Sequence, residues 1–159
     1  MVSPVVSVQW TTTDAMQAGG WIWRGIVPWD KTEAQRPCMG RFRAQAEYVV
    51  WGSSGAMPLR EDVGVLPGAI RCIVAQDDKH HITGKPVEVM RFVNRICPPG
   101  GVILDPFAGS ASTGVAALLD GYEFIGVERV EAYADIARGR LAEAAIGRVK
   151  KPNESAAQQ

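Results

Sequence analysis

A chain of 159 residues with 47% hydrophobic and 21% charged residues is long enough to bury a core and falls in the range of one α/β domain. Its 17 Lys and Arg balance 17 Asp and Glu, so total charge argues for neither a nucleic-acid nor a membrane partner, and only local clusters can. Three scattered cysteines, Cys38, Cys72 and Cys97, read as reduced thiols, and with no secretory signal and no apolar run of bilayer length the expectation is a soluble cytoplasmic protein without a membrane partner.

In chain order, Val5 to Trp10 reads as a short strand, and Thr11-Thr12-Thr13-Asp14 offers caps for a helix that Gly19-Gly20 stops. Trp21 to Trp29 is aromatic and β-branched enough for a second strand, with Pro28 near its end. Asp30 to Arg43 is polar and basic and reads as a loop. Ala46 to Trp51 returns as a strand, ended by Gly52-Ser53-Ser54-Gly55, and the two strands flanking the loop are expected to pair as an antiparallel hairpin. From Ala56 to Lys79 the pattern weakens, though Ala69 to Ala75 suits one more short strand. Pro86 fits the first position of an amphipathic helix with Val89, Val93 and Ile96 on one face, which Pro98-Pro99-Gly100 ends.

The densest chemistry follows. Val102-Ile103-Leu104 reads as a buried parallel strand, and Asp105 stands at its carboxyl end, where open α/β sheets place ligands. Pro106 and Phe107 turn the chain, and Ala108, Gly109, Ser110, Ala111 and Ser112 are short enough for a ligand to lie against the backbone. A short apolar helix through Val115 to Leu119 ends at Asp120-Gly121. Tyr122 to Val127 forms the next strand and finishes in Glu128, 23 positions after Asp105, close to the spacing at which a nucleotide site puts its ribose acid. A last helix from Glu131 to about Ile146 is expected to bury Tyr133, Ile136, Ala137 and Leu141. The spacing Gly109-x-x-x-x-Gly114 matches neither the dinucleotide fingerprint nor a phosphate loop, so a cofactor without pyrophosphate fits better. Adjacent histidines His80 and His81 point apart on any regular element, and no metal site is expected.

Asp105-Pro106-Phe107-Ala108-Gly109-Ser110-Ala111-Ser112-Thr113 resembles the Asp-Pro-Phe-x-Gly-Ser-Gly-Thr-Thr motif of S-adenosylmethionine-dependent DNA amino-methyltransferases, which modify the N6 of adenine or the N4 of cytosine. His81-Ile82-Thr83-Gly84-Lys85-Pro86 is similar to the segment that precedes that motif in the family's permuted, β-ordered group. Trp23 to Lys31 and Glu47 to Trp51 resemble its later catalytic-half strands, as found in phages and prophages. The resemblance implies a Rossmann-like methyltransferase sheet with helices on both faces, circularly permuted, with S-adenosylmethionine as cofactor and DNA as partner. Carried over by residue, it implies that Asp105, Pro106, Phe107, Ala108, Gly109 and Ser110 border the cofactor, with Phe107 near its adenine. Glu128 would hold the ribose, and Thr83 and Lys85 would meet its carboxylate end. Lys31, Arg36, Arg41 and Arg43 would approach DNA phosphates.

The sequence departs from the family in two ways. Ala111-Ser112 replaces Gly-Thr, and no Asp/Asn/Ser-Pro-Pro-Tyr/Phe/Trp tetrapeptide occurs anywhere in the 159 residues. In the family that motif binds the target amine and stacks on the flipped base. The family's sheet sets the strand bearing it beside the cofactor strand, so the chain reads as lacking the central catalytic-motif strand and as shortened at its amino terminus. No catalytic residue is therefore assigned, and a second chain supplying that strand is a candidate partner. On this reading residues 1–148 form the methyltransferase domain: 5–55 a remnant of the catalytic half with basic loop 30–43, 56–80 an irregular insert, and 81–148 the cofactor-binding half. Residues 149–159 are a flexible tail. The alternative is a noncatalytic S-adenosylmethionine-binding remnant, or a subunit that completes a partner's site.

Overall fold

The computed structural model describes residues 6–35, 37, 39–73 and 85–147, with side chains described from Thr11 onward. They fall into two compact units, one from the described residues of Met1–Glu61 and Pro67–Ile73, the other from those of Asp62–Leu66 and Val74–Gln159.

The first unit contains α1 (Val6–Ala18), β1 (Ile22–Asp30), β2 (Ala46–Ser53) and the short β3 (Ile70–Arg71), in a sheet of order β2-β1-β3. The expected hairpin is present: β1 and β2 run antiparallel from Ile22 opposite Ser53 to Asp30 opposite Ala46, with an irregularity between Trp23 and Gly25. β3 joins the other edge in parallel, Trp29 opposite Ile70. Trp29 is 3% exposed, and its indole N–H donates to the Cys72 carbonyl at 2.9 Å, tying the segment after β3 to β1.

One element is corrected. The strand expected at Val5 to Trp10 is not formed, because α1 begins at Val6 and runs unbroken to Ala18 before Gly19-Gly20 stops it. Val-Ser-Val-Gln-Trp alternates like a strand, but a strand needs a neighbour for its backbone groups. A helix satisfies them internally, and the capping-rich Thr11–Asp14 stretch simply continues it.

The second unit contains α2 (Val87–Asn94), β4 (Val102–Asp105), α3 (Ser112–Leu119), β5 (Glu123–Gly126) and α4 (Glu131–Ala145). β4 and β5 are parallel, Val102 opposite Glu123 through Asp105 opposite Gly126, and α3 is the crossover between them. Among the described residues, β4 pairs with β5 alone. Helix α3 packs between α2 and α4 and touches both strands. Its small residues permit that approach: a Cβ added at Gly114 would lie 2.4 Å from the Phe124 ring and 2.8 Å from the Leu141 side chain. Val87, Val115, Ala116 and Ala144 form the core, with Met90, Leu118, Leu119 and Leu141 against it. Val102, Leu104 and Ile125 alternate onto the other face of the strands and are exposed.

Three details differ from the periodicity. Pro86 caps α2 rather than opening it, so the helix begins one residue later than expected. Ile136 is 38% exposed, and Ala137 and Ala144 carry the buried stripe of α4, because positions seven apart share a face that Ile136 lies off. Only Ile70 and Arg71 of the Ala69–Ala75 run pair as strand; residues 74–75 lie outside the described set. The ends of α2 and α3 are joined where Arg91 Nε and Nη2 fork onto Asp120 Oδ1 at 2.9 and 2.6 Å.

Candidate cofactor site

The loop after β4 is stitched to the end of β5 by local bonds. The Asp105 carbonyl accepts the Val127 N–H at 2.9 Å, and the Val127 carbonyl accepts the Ala108 N–H at 2.9 Å. These bonds extend the parallel pairing past Gly126 and carry Glu128 to the mouth of the loop. Asp105 Oδ1 accepts the Phe107 N–H at 3.0 Å, closing a turn over Pro106 that leaves Phe107 88% exposed. Gly109 takes a left-handed conformation, φ 52°, which turns its N–H onto Glu128 Oε2 at 2.9 Å. The other carboxylate oxygen of Glu128 accepts the Val130 N–H at 2.7 Å. A single acid thus bridges the loop after β4 and the turn into α4.

Asp105 and Glu128 therefore stand at the carboxyl ends of adjacent parallel strands, on either side of a backbone kept low by Ala108, Gly109 and Ser110. Each carboxylate oxygen has two acceptor positions, so the Glu128 oxygens can serve backbone N–H groups and still receive hydroxyl donors. The exposed Phe107 ring offers a flat apolar surface beside them. The amino end of α3 opens from Ala111, whose φ of 58° and ψ of 39° are also left-handed. Behind the turn, Arg140 Nη1 donates to the Ser110 carbonyl at 2.5 Å, to Ser110 Oγ at 3.1 Å and to Ser112 Oγ at 3.3 Å. Asn94, 4% exposed, donates to the Thr113 carbonyl at 3.4 Å. Sequence reasoning passed over both residues. The available signal for Arg140 was its place three residues after Ala137, which puts a charge on the buried stripe of α4.

The remaining site residues read from the sequence are placed unevenly. Thr83 and Arg36 lie outside the described residues, and Lys85 is exposed just ahead of α2. In the first unit, the basic loop is braced at its base. Lys31 Nζ pairs with Glu47 Oε1 at 3.3 Å with only 11% of its side chain exposed, and Arg43 Nη1 donates to the Glu33 carbonyl. Asp30 Oδ1 accepts the Gln45 amide at 3.0 Å and the Thr32 N–H at 2.8 Å, and Arg71 lies 3.6 Å from Oδ2. The Gln45 bond foremost and then the Thr32 bond hold the Asp30 carboxyl below its usual value; burial opposes them, and the Arg71 charge adds the smallest lowering effect. Arg41 sits at the exposed tip, next to Phe42 and near Met39, both almost fully exposed. Of the basic residues read as DNA contacts, the structure engages Lys31 and Arg43 in bracing and presents Arg41 outward.

Comparison with known proteins places this geometry. Residues 61–139 match the DNA methylase family model, which spans β3, both cofactor-site strands and most of α4. The chain belongs to the DNA methylase family. It is 32% identical over 119 residues to the methylase YubD of Escherichia coli (strain K12), covering 74% of this chain and 50% of that protein. It is 39% identical over 66 residues to the type II methyltransferase M.HinfI of Haemophilus influenzae, covering 41% of this chain and 18% of the relative. The chain thus spans half or less of the length of these curated relatives. Among solved structures, the M1.HpyAVI–SAM complex superposes with a TM-score of 0.72 at 23% identity, covering 87% of this chain and 71% of the other. That likeness establishes a Rossmann-like methyltransferase fold for this DNA methylase chain.

Proposed function

We propose that this chain supplies the S-adenosylmethionine site of a DNA amino-methyltransferase acting on adenine N6 or cytosine N4. The observation that carries the reading is the pairing of Asp105 and Glu128 at adjacent strand ends, with Glu128 drawn onto the Gly109 N–H across a loop of small residues. These residues fit the cofactor by their chemistry. A carboxylate accepts from both vicinal ribose hydroxyls, short side chains admit the amino-acid arm, and the Phe107 ring suits the adenine. M1.HpyAVI, which shares the fold, was crystallised with SAM, and M.HinfI is a type II methyltransferase; both support this reading.

When bound, the cofactor supplies an electrophilic methyl group on a sulfonium centre. The residues of this chain would hold it: Glu128 would bind the ribose, Asp105 and the loop through Ser110 would border the amino-acid arm, and Phe107 would lie near the adenine. Lys85, and Thr83 with it, is assigned to the carboxylate end, where an ammonium and a hydroxyl donor suit an anion. Arg41 at the loop tip is the foremost phosphate contact, with Lys31 and Arg43 nearer the base of the loop, and Arg36 of the same segment is assigned with them. The group that accepts the target amine's hydrogen bonds is not among these 159 residues, since the Pro-Pro tetrapeptide is absent. We therefore assign methyl transfer to an assembly in which a segment bearing that motif, on a second chain or a longer form of this one, completes the site. Isothermal calorimetry of the folded chain with S-adenosylmethionine tests the cofactor assignment. Saturable binding that Asp105→Ala weakens at least tenfold is expected, and a folded protein that binds no cofactor overturns it.

The second reading, a noncatalytic cofactor-binding module, rests on the same missing tetrapeptide. It predicts cofactor binding with no transfer to mixed-sequence DNA under any complementation.

A further inference from the structure

Arg140 has a position that neither core packing nor cofactor contact accounts for. Helix α4 sets it three residues after the buried Ala137 and four before the buried Ala144, so its stem follows the helix face that meets α3. One nitrogen, Nη1, faces three acceptors on the cofactor loop: the Ser110 carbonyl at 2.5 Å, Ser110 Oγ at 3.1 Å and Ser112 Oγ at 3.3 Å. Ser110 and Ser112 are 5% and 8% exposed, so these are interior bonds in which a guanidinium meets acceptors largely withdrawn from water.

Between the two serines lies Ala111, wholly buried, at φ 58° and ψ 39°. A residue with a Cβ is sterically disfavoured in that left-handed region, whereas glycine enters it freely. Ala111 is also the residue ahead of α3, and no side-chain cap satisfies the start of that helix. Its own N–H bonds back to the Ala108 carbonyl at 2.7 Å, and its carbonyl accepts the Val115 N–H at 2.9 Å. The turn therefore holds an unfavourable conformation with local bonds on either side and one charged side chain gripping both neighbours.

We infer that Arg140 is a positioning residue that clamps the Ser110-Ala111-Ser112 turn in its left-handed form and so fixes the backbone on which the cofactor lies. The clamp compensates for an alanine at a position whose conformation favours glycine. This role rests on the cofactor reading of the loop, but its effect on the turn exists without any ligand.

The test uses Arg140→Met, which keeps the stem and removes the donors, Arg140→Lys, Ala111→Gly, and the double variant R140M/A111G. Arg138→Met, an exposed change on the same helix, serves as a control. Affinity for S-adenosylhomocysteine is measured by calorimetry, and amide hydrogen exchange is followed across residues 108–114. R140M is expected to weaken binding about tenfold and to raise exchange in the turn, with R140K between it and the parent, consistent with loss of charge-assisted bonds. In the R140M background A111G is expected to recover most of the lost affinity and protection, because glycine holds the turn unaided. A merely structural Arg140 would lower the melting temperature without that rescue. Parent-like affinity and exchange in R140M, or failure of A111G to rescue, overturns the inference. If the parent binds no cofactor while R140M still raises exchange and A111G still suppresses it, the cofactor reading fails and the clamp stands.

Discussion

Glu128→Gln separates the loop bracing that the carboxylate performs from the ribose binding proposed for it. In the parent, Oε2 accepts the Gly109 N–H at 2.9 Å and Oε1 accepts the Val130 N–H at 2.7 Å. Glutamine keeps one acceptor and puts an NH2 donor where the other stood. The half-buried Gly109 N–H is harder for water to reach than the exposed Val130 N–H, so the remaining oxygen is expected to stay with Gly109. Folding then loses one exposed charge-assisted bond, replaced by water, at a cost of about 1 kcal/mol or less. Cofactor binding loses more. The ribose hydroxyls give up a charged acceptor and one of them meets a donor, a change of about 2–3 kcal/mol, or roughly 30- to 150-fold in Kd. A fall in melting temperature of about 2–4 °C should therefore accompany a far larger loss of S-adenosylhomocysteine affinity by calorimetry. Glu128→Asp reverses the pattern: the charge remains, but one methylene fewer cannot span both N–H groups, so stability falls more than with glutamine. Parent-like affinity in E128Q, or a larger loss of stability in E128Q than in E128D, would refute the reasoning.

Three shorter predictions follow from the same geometry. Gly114→Ala drives a methyl into the Phe124 ring, 2.4 Å away; overpacking of about 1–3 kcal/mol outweighs the gain of about 1 kcal/mol in helix propensity, so the melting temperature should drop, and a rise would contradict the α3–β5 packing. Gly139→Ala, in open space midway along α4, should add about 1 kcal/mol in denaturant titration with cofactor affinity unchanged. Asp30 has a folded pKa below its unfolded value, so its stabilising effect is complete above the unfolded value and fades as pH falls through the folded one. Carboxyl-resolved NMR titration should show that low midpoint, and Gln45→Ala should move it upward; a midpoint at or above the ordinary aspartate value removes the argument.

The cofactor half was legible because its information is local. Val102 through Glu128 is one βαβ unit, and the bonds that join Asp105 to Phe107 and Val127, and Gly109 to Glu128, lie within that stretch, with Asn94 and Arg140 reaching in from outside it. An apolar strand, a terminal acid and a run of small residues specify such a unit with little outside help. In the first unit the β1–β2 hairpin, the helix stop at Gly19-Gly20 and the short strand within Ala69–Ala75 were legible. Val6 to Trp10 went the other way because alternation is a weak local signal when no neighbouring strand takes up its hydrogen bonds. The basic loop was legible in its composition but not in its bracing. Residue type marks Lys31, Arg41 and Arg43 alike, but Glu47 and the Glu33 carbonyl, which engage two of them, are 16 and 10 residues distant in sequence. For Arg140, α4 marks a charge on its buried stripe but not what that charge meets, because its partners lie 30 and 28 residues upstream.

Because the bonds described at the cofactor loop join residues 94–140, the proposed function predicts that cofactor binding and target-base chemistry are separable in this chain. The loop is already in place: its strand ends are stitched, its two left-handed residues are formed, and Glu128 bridges it to α4. A polypeptide that brings the missing Asp-Pro-Pro-Tyr-type motif should thus change catalysis far more than affinity. Added in trans or fused ahead of the chain, such a family segment is expected to raise methyl transfer to mixed-sequence DNA from background, measured with radiolabelled methyl donor. The Kd for S-adenosylhomocysteine should stay within about threefold, since ordering costs at the loop have already been met by folding. E128Q in the complemented assembly should then lose turnover at low cofactor and regain it at saturation, the signature of a binding residue. A large tightening of cofactor affinity on complementation would show that the loop is not preorganised and that the base-binding segment helps build the cofactor site itself.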